Sequence, residues 1–227
     1  MEANSRLRVK ICCIRSVEEA RLAVAHGAAA VGLVSRMPSG PGVIAEELIA
    51  AIAATLPPGV ASFLLTSETD VSAIVEQQRR TRVNTLQLVD ALPRGAHQKL
   101  RDALPGIALV QVVHVQGEQS IAEACAAAPH VDAILLDSGN PALAVKELGG
   151  TGRVHDWEIS RKVRESVGCP LFVAGGLRPG NVGEAIRRVG PYGLDVCSGV
   201  RTNGRLDPVK LLEFFREVET SRSNLLA

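Results

Sequence analysis

Short apolar runs alternate with amphipathic stretches along the whole 227-residue chain. Eight of the runs have the length and the branched side chains of buried strands. They are Val9–Ile14, Ala29–Val34, Val60–Leu65, Thr85–Val89, Ile107–Val113, Val131–Leu136, Pro170–Val173 and Leu194–Cys197. The helical stretches that follow them are Val17–His26, Ile44–Ala54, Val71–Arg82, a weaker one at Ala96–Ala103, Ile121–Ala127, Trp157–Val167, Asn181–Val189 and Pro208–Glu219.

Eight strands that alternate with helices predict a protein of the α/β class, and specifically a single (β/α)8 TIM barrel. A doubly wound open sheet is the alternative, although it usually has fewer strands. The chain contains no linker, low-complexity segment or exact repeat, so we expect residues 1–227 to form one barrel domain. In such barrels the loops after the strands build the active site, and candidate functional residues therefore lie just past each predicted strand.

Composition narrows the functional classes. The net charge is +1 and aromatic residues make up only 3% of the chain, which argues against nucleic acid as a partner. No apolar stretch reaches the ~18 residues that span a bilayer, and Met1–Arg8 lacks the apolar core of a signal peptide. The five cysteines have no paired metal-ligand spacing. We therefore expect free thiols, no metal site, no membrane partner and a cytoplasmic location.

Glycine turns follow the seventh and eighth predicted strands. The seventh runs into Ala174–Leu177, which contains Gly175 and Gly176, and the eighth runs into Ser198 and Gly199. Glycine lets the backbone approach a ligand and present its amide donors, and phosphate sites of barrels often use these two loops. The turns predict a phosphate held by backbone N–H groups, with tight turns that bind nothing as the alternative.

A third glycine cluster lies in the long segment between the sixth predicted strand and Trp157. It reads Gly149, Gly150, Thr151 and Gly152. Long loops in compact domains are usually functional or disordered, and three glycines in four residues favour a shaped backbone over a helix. We expect this segment to contribute to the same ligand site.

The first predicted strand carries a lysine and two adjacent cysteines. Because side chains alternate across a strand, Lys10 and Cys12 should point into the barrel and Cys13 should point outward with Val9 and Ile11. An ammonium nearby lowers the pKa of a thiol. Cys12 is therefore a candidate base or nucleophile, while a small buried hydrophobic residue is the alternative.

Two aspartates lie on or just past predicted strands, near the same rim of the barrel. Asp137 follows the leucines of the sixth predicted strand, and a carboxylate at that point of a barrel is typical of a catalytic group; a turn former is the alternative. Asp195 belongs to the eighth strand, which lies beside the first once the barrel closes. We expect Asp195 to form an ion pair with Lys10 that is primarily structural.

Together these residues resemble the phosphoribosylanthranilate isomerase family, from Val9 to about Val218. Four pieces carry the resemblance: Lys10-Ile11-Cys12, Asp132–Asp137, Gly149–Gly152 before Asp156-Trp157, and Ala174–Leu177 with Pro179, Asn181, Asp195 and Ser198–Val200. The resemblance implies a ribulose-phosphate-binding type of barrel and a cofactor-free Amadori rearrangement of a small phosphorylated sugar in tryptophan biosynthesis. It makes Asp137 the general acid that opens the ribofuranose ring and Cys12 the general base that removes the C2′ proton.

The chain departs from the family pattern at four places. Cys13 stands where the family usually has glycine, Val89 where it has histidine, and Arg201 where it has glutamate. After the second strand, residues 37–42 read Met-Pro-Ser-Gly-Pro-Gly and lack the family's Ser-Pro-Arg triplet, whose arginine grips the anthranilate carboxylate. The phosphate end and the catalytic pair are kept, but the end that holds the aromatic acid is rewritten.

A ligand carboxylate buried at the rewritten end needs a cationic partner. Arg15, Arg36 and Arg201 lie close to strand ends, and we expect at least one of them to point into the site. The lost contacts leave a second hypothesis open, an isomerase or lyase of the same barrel class that acts on another phosphorylated sugar derivative. A non-catalytic binder of a phosphorylated ligand is the third.

Overall fold

The computed structural model describes residues 7–150 and 152–226, in which eight parallel strands close into a barrel. The strands are β1 (Arg8–Ile11), β2 (Ala30–Val34), β3 (Ala61–Thr66), β4 (Thr85–Leu88), β5 (Ala108–His114), β6 (Ala133–Asp137), β7 (Leu171–Val173) and β8 (Gly193–Val196). The helices are α1 (Val17–Ala25), α2 (Glu46–Ala53), α3 (Val71–Thr81), α4 (Ala96–Ala103), α5 (Gln119–Ala127), α6 (Trp157–Ser166), α7 (Pro179–Val189) and α8 (Pro208–Leu226). The predicted TIM barrel is confirmed.

Short elements decorate the loops of the barrel. The segments Ala128–His130 and Ser198–Val200 are single 3-10 turns, and β9 (Arg201–Thr202) pairs with β10 (Arg205–Leu206) in a small hairpin after β8. The sequence pattern did not predict this hairpin. None of the described helices is long and apolar enough to cross a membrane.

Polar side chains cap several of the helices that surround the barrel. The Ser16 hydroxyl accepts a hydrogen bond from the Glu19 N–H at the start of α1, and the Asp70 carboxylate accepts one from the Ala73 N–H at the start of α3. Asp156 begins α6 in the same way. Such caps satisfy N–H groups that have no partner inside the helix, and they fix where the loops on the carboxyl side of the strands end.

Apolar side chains pack in two layers, one between strands and helices and one inside the barrel. Inside, the Phe172 ring meets Phe63 edge-on with centroids 6.0 Å apart and meets Tyr192 at 5.5 Å. Tyr192 precedes β8, so this aromatic plug fills the amino-terminal half of the interior. The carboxyl ends of the strands are left to form a cavity.

The closure of the barrel pairs β8 with β1. In this pairing Lys10 lies opposite Asp195, and Ile11 lies opposite Val196. Because neighbouring strands in register place their inward side chains next to each other, closure brings the lysine and the aspartate together although 185 residues separate them.

The first strand is shorter than the sequence pattern predicts. It ends at Ile11, and Cys13 adopts a left-handed backbone with φ of +58°. This turn breaks the two-residue alternation of a strand. The prediction that Cys12 and Cys13 face opposite sides is therefore wrong, because both belong to the apolar layer inside the barrel and both line its cavity.

Candidate active site

A cavity opens at the carboxyl ends of the strands and contains most of the candidate residues. Its lining includes Cys12, Asp137, Gly150, Gly152, Gly175, Gly176 and Ser198. Gly199 packs behind this lining, and Thr151 lies outside the described residues. Among the described residues, no group of three or more His, Cys, Asp or Glu side chains could hold a metal ion.

Asp137 ends β6 and is buried at the bottom of the cavity. Its Oδ1 accepts a hydrogen bond from the Ser138 N–H at 2.7 Å, and a β-carbon added at Gly149 would stand 2.6 Å from its Oδ2. Burial raises the pKa of Asp137 above its ordinary value and outweighs the opposing Ser138 hydrogen bond. A carboxyl group that keeps its proton in this way can act as a general acid.

Lys10 and Asp195 form a buried ion pair between β1 and β8, as the sequence predicts. The Lys10 Nζ lies 2.8 Å from the Asp195 Oδ2, and the lysine side chain is fully buried. Burial alone would lower the pKa of Lys10, but the Asp195 carboxylate raises it above its ordinary value. Lys10 therefore stays charged and paired, and it is not among the side chains that line the cavity.

Cys12 reaches the cavity through space that a glycine leaves open. A β-carbon at Gly32 of β2 would stand 2.7 Å from the Cys12 Sγ and 3.0 Å from the Lys10 Nζ. The thiol and the ammonium therefore crowd the same point, which places a positive charge close to the candidate base. Sequence reasoning missed Gly32, although a glycine within an apolar strand is itself a signal of close approach.

The loops after β7 and β8 touch each other through their backbones. A β-carbon at Gly199 would overlap the Leu177 carbonyl oxygen. The Asn181 side chain donates a hydrogen bond to the Gly176 carbonyl at 3.0 Å and accepts one from the Arg178 N–H at 2.8 Å. These contacts fix the conformation of both loops, in which Gly175 and Gly176 have the left-handed backbone that glycine favours.

The third glycine cluster packs against the other end of the same cavity. A β-carbon at Gly150 would stand 2.5 Å from the Pro41 Cδ, and the Ser39 hydroxyl donates a hydrogen bond to the Lys146 carbonyl at 2.6 Å. The loops after β2 and β6 therefore meet over the cavity. The segment between β6 and α6 has no helix among its described residues, as its glycines predict.

The three candidate arginines lie in different surroundings, and none is among the described residues that line this cavity. Arg201 pairs with Glu19 at 2.8 Å and donates to the Cys13 carbonyl at 2.6 Å. Arg15 donates to the Gly204 carbonyl. Arg36 is exposed, and its guanidinium has no hydrogen bond or ion pair within the described part of the chain. The expectation that one of them points into the site is thus not met in this conformation.

His114 is a residue that sequence reasoning missed. It ends β5 opposite Asp137, is buried, and its Nε2 lies 3.0 Å from the carbonyl oxygen of Val89. Valine stands at position 89, where the family resemblance leads us to expect histidine. The imidazole thus reaches the rim beside Asp137 from the next strand, and the departure at Val89 was the available signal.

Comparisons with known proteins agree with this geometry. Residues 9–217 match the family model of N-(5'-phosphoribosyl)anthranilate (PRA) isomerase. N-(5'-phosphoribosyl)anthranilate isomerase 2 of Methanosarcina mazei is 38% identical over 210 residues, which cover 92% of each chain. The N-(5'-phosphoribosyl)anthranilate isomerase of Methanocella arvoryzae is 34% identical, with 95% of this chain and 99% of the relative covered.

Solved structures with this fold include related enzymes. Phosphoribosyl anthranilate isomerase from Thermotoga maritima superposes with a TM-score of 0.81 at 30% identity and covers 95% of this chain and 100% of its own. A phosphoribosyl anthranilate isomerase in complex with reduced 1-(o-carboxyphenylamino)-1-deoxyribulose 5-phosphate has a TM-score of 0.79 at 28% identity, with the same coverage.

Proposed function

Because the chain belongs to the N-(5'-phosphoribosyl)anthranilate isomerase family, we propose that Asp137 and Cys12 are its general acid and general base. The activity is the isomerisation of N-(5'-phosphoribosyl)anthranilate in tryptophan biosynthesis, an aldose–ketose rearrangement within one phosphorylated substrate. The observation that carries the residue assignment is that a buried carboxyl group with a raised pKa and a thiol from another strand line one cavity.

Asp137 performs the first step in this proposal. Its proton passes to the ring oxygen of the ribofuranose while the bond between that oxygen and C1′ breaks, and the lone pair of the anthranilate nitrogen forms the C=N bond of a Schiff base. Because burial disfavours the charged carboxylate, Asp137 is protonated at a higher pH than an exposed aspartate. It is thus ready to donate when the substrate arrives.

Cys12 performs the second step. Its thiolate removes the proton from C2′, and the electrons of the C–H bond form the C1′=C2′ double bond of an enolamine as the imine nitrogen accepts the electron pair. Tautomerisation then gives the aminoketone. The Lys10 ammonium lies beside the Cys12 Sγ at the place where this step occurs.

In this proposal, two glycine loops hold the phosphate of the substrate and one carboxylate holds its sugar. The loops Gly175–Leu177 and Ser198–Val200 would bind the phosphate with backbone N–H groups, which suits glycine turns at strand ends. Asp195 lines the cavity, and its Oδ1 has no hydrogen-bond partner within the described part of the chain. Since an unpaired buried acceptor is costly, we assign it to a sugar hydroxyl.

Arg36 would bind the anthranilate carboxylate. The adjacent Met37 lines the cavity. The Arg36 guanidinium is exposed and has no partner among the residues that the structure describes, whereas Arg201 is paired with Glu19. A rotation of the exposed Arg36 side chain would bring its guanidinium across its own loop, which follows β2. A cytoplasmic location completes the proposal, since five free thiols are typical of a reducing compartment.

Complementation and kinetics test the proposal together. The wild-type gene should restore growth without tryptophan to a strain that lacks this isomerase, and Cys12→Ala should not. The purified Cys12→Ala protein should lose turnover because alanine has no group that can accept the C2′ proton. The matched variant Cys13→Gly should retain most of it, since glycine accepts the left-handed backbone at that position. Equal loss in both folded variants would contradict the assignment of Cys12.

A further inference from the structure

Three thiols gather where β1 and β8 end, and the proposed reaction uses only one of them. The Cys12 N–H donates a hydrogen bond to the Val196 carbonyl at 2.8 Å, so the register that pairs Ile11 with Val196 continues to Cys12 and Cys197. These two residues share the face of Lys10 and Asp195, whose side chains are already in contact. Cys197 therefore lies beside Cys12 at the cavity, which both line.

Cys13 joins this pair because its left-handed turn swings the thiol inward. Its Sγ lies 3.6 Å from the Pro41 carbonyl oxygen, and a β-carbon at Gly42 would stand 2.6 Å from the Cys13 Cβ. The loop after β2 thus leaves space for the side chain only because Gly42 has none. Cys13 and Cys197 line both the main cavity and a second one beside it, and the neighbouring Cys12 and Cys197 side chains, together with burial, raise the pKa of the Cys13 thiol.

We propose that Cys13 and Cys197 form a reversible disulfide when the protein meets hydrogen peroxide, and that this bond switches the active site off. The Cys197 thiolate attacks one peroxide oxygen, the O–O bond breaks, and the departing hydroxide takes up a proton to give water and a sulfenic acid. The Cys13 sulfur then attacks the Cys197 sulfur, the S–O bond breaks, and the Cys13 proton leaves with the hydroxide as a second water. The two sulfurs are oxidised and the peroxide is reduced.

Cys197 is the thiol that reacts first. The neighbouring Cys13 thiol, together with the charge of Arg201, lowers the pKa of Cys197 against the opposing effect of burial, and the thiolate is the reactive form of cysteine. A second cavity, of about 230 Å³, is lined by Cys13, Cys197 and Arg201. It offers a small oxidant a route to both sulfurs.

The disulfide would act on both halves of the site. Cys13 directly follows the proposed base, and Cys197 directly precedes Ser198 of the phosphate loop. A covalent bond between the two residues ties these loops to each other beside Cys12. When a dithiol cleaves the disulfide, both loops would return to their original conformation.

Peptide mapping after peroxide treatment tests the proposal without reference to catalysis. Free thiols are alkylated and the protein is digested with trypsin under non-reducing conditions. We expect the peptide Ile11–Arg15 joined to Val189–Arg201. Because the first peptide contains two cysteines, the cross-link should persist in Cys12→Ser and disappear in Cys13→Gly, and circular dichroism checks that both variants fold.

Activity, expressed relative to each untreated variant, gives the second readout. Wild type should lose most of its activity in peroxide and regain it in dithiothreitol, and Cys13→Gly should lose much less. Cys125→Ser and Cys169→Ser remove thiols outside the cluster and should respond as wild type does. The proposal is overturned if wild type yields no cross-link, if the cross-link survives in Cys13→Gly, or if dithiothreitol fails to restore activity.

Discussion

The two ends of the cavity are built in different ways. At the phosphate end, made of Gly175–Leu177 and Ser198–Val200, backbone packs on backbone so closely that a β-carbon at Gly199 would overlap the Leu177 carbonyl. At the acid end, made of Arg36–Gly42, the loop meets Gly150 through the Pro41 ring and leaves the Arg36 side chain exposed. A site made of backbone donors depends on particular glycines, whereas a site made of long side chains can change its donor without changing the fold.

The largest expected effect is a loss of catalysis that leaves binding at both ends of the cavity nearly unchanged. Asp137→Asn removes the proposed acid while it keeps the shape of the side chain, so kcat should fall by ~10²–10⁴. Affinity for inorganic phosphate or a product analogue should change little. Steady-state kinetics and calorimetric titration measure the two quantities on the same protein.

The same substitution should stabilise the fold at neutral pH. The pKa of Asp137 is raised in the folded state, so folded protein holds this proton at pH values where unfolded chain has lost it, and stability falls as pH rises through that window. Asparagine has no proton to lose. A variant with near-normal kcat, or one whose melting temperature drops at neutral pH, would contradict the role or the burial of Asp137.

The second prediction breaks the phosphate end alone. Gly199→Ala forces the new methyl group against the Leu177 carbonyl, so the two loops must separate and KM for the phosphorylated substrate should rise by about tenfold or more. Gly180→Ala is the matched control, because a β-carbon there meets nothing within 4 Å and alanine favours the helix α7. Equal kinetics of the two alanine variants would mean that the contact between loops does not shape the site.

The third prediction concerns His155, which we regard as part of the packing that supports the phosphate end. His155 is buried, neither ring nitrogen has a partner within the described part of the chain, and burial lowers its pKa from 6.5 to about 4. Unfolded chain binds this proton near pH 6.5, so stability should decline as pH falls from 6.5 to 4, by about 3 kcal/mol in total. His155→Leu should flatten that decline in the free energy of unfolding.

Urea titrations at several pH values measure the difference between wild type and the variant. The exposed His130 offers a control, since His130→Gln should leave the acid-side decline as it is in wild type. An unchanged pH profile in His155→Leu would show that the ring is hydrated or hydrogen-bonded in solution. The phosphate end would then rest on a less rigid support than its close packing indicates.

The sequence predicted the barrel and the glycine turns after β7 and β8 better than the conformation of Cys13 and the partners of the arginines, for physical reasons. Alternating apolar periods determine which segments are strands, and glycines mark where backbone approaches backbone. The inward turn of Cys13 depends on one residue in a left-handed conformation, which strand alternation does not anticipate. The partner of Arg201 is equally invisible in the sequence, because Glu19 reaches it only after the barrel closes.

The last prediction tests the acid end. The proposal assigns the anthranilate carboxylate to Arg36, and charge-assisted hydrogen bonds are worth ~1.5–3 kcal/mol, about tenfold to a hundredfold in affinity. Arg36→Ala should therefore raise KM by that factor and leave kcat nearly unchanged, because the grip holds substrate and transition state alike. Arg36→Lys should recover part of the loss, since an ammonium keeps the charge but not the two-pronged geometry.

A substrate-derived probe makes the assignment specific to the carboxylate. The reduced product analogue with a carboxyphenyl group should bind Arg36→Ala more weakly than wild type, and the corresponding phenyl analogue should bind both equally. Arg15→Ala is the matched control, since the Arg15 guanidinium donates to the Gly204 carbonyl and lines the second cavity. If Arg36→Ala weakens both analogues equally, the arginine shapes its loop rather than binding the acid. The backbone N–H groups of Ser39, Gly40 and Gly42 then become the candidates for that role.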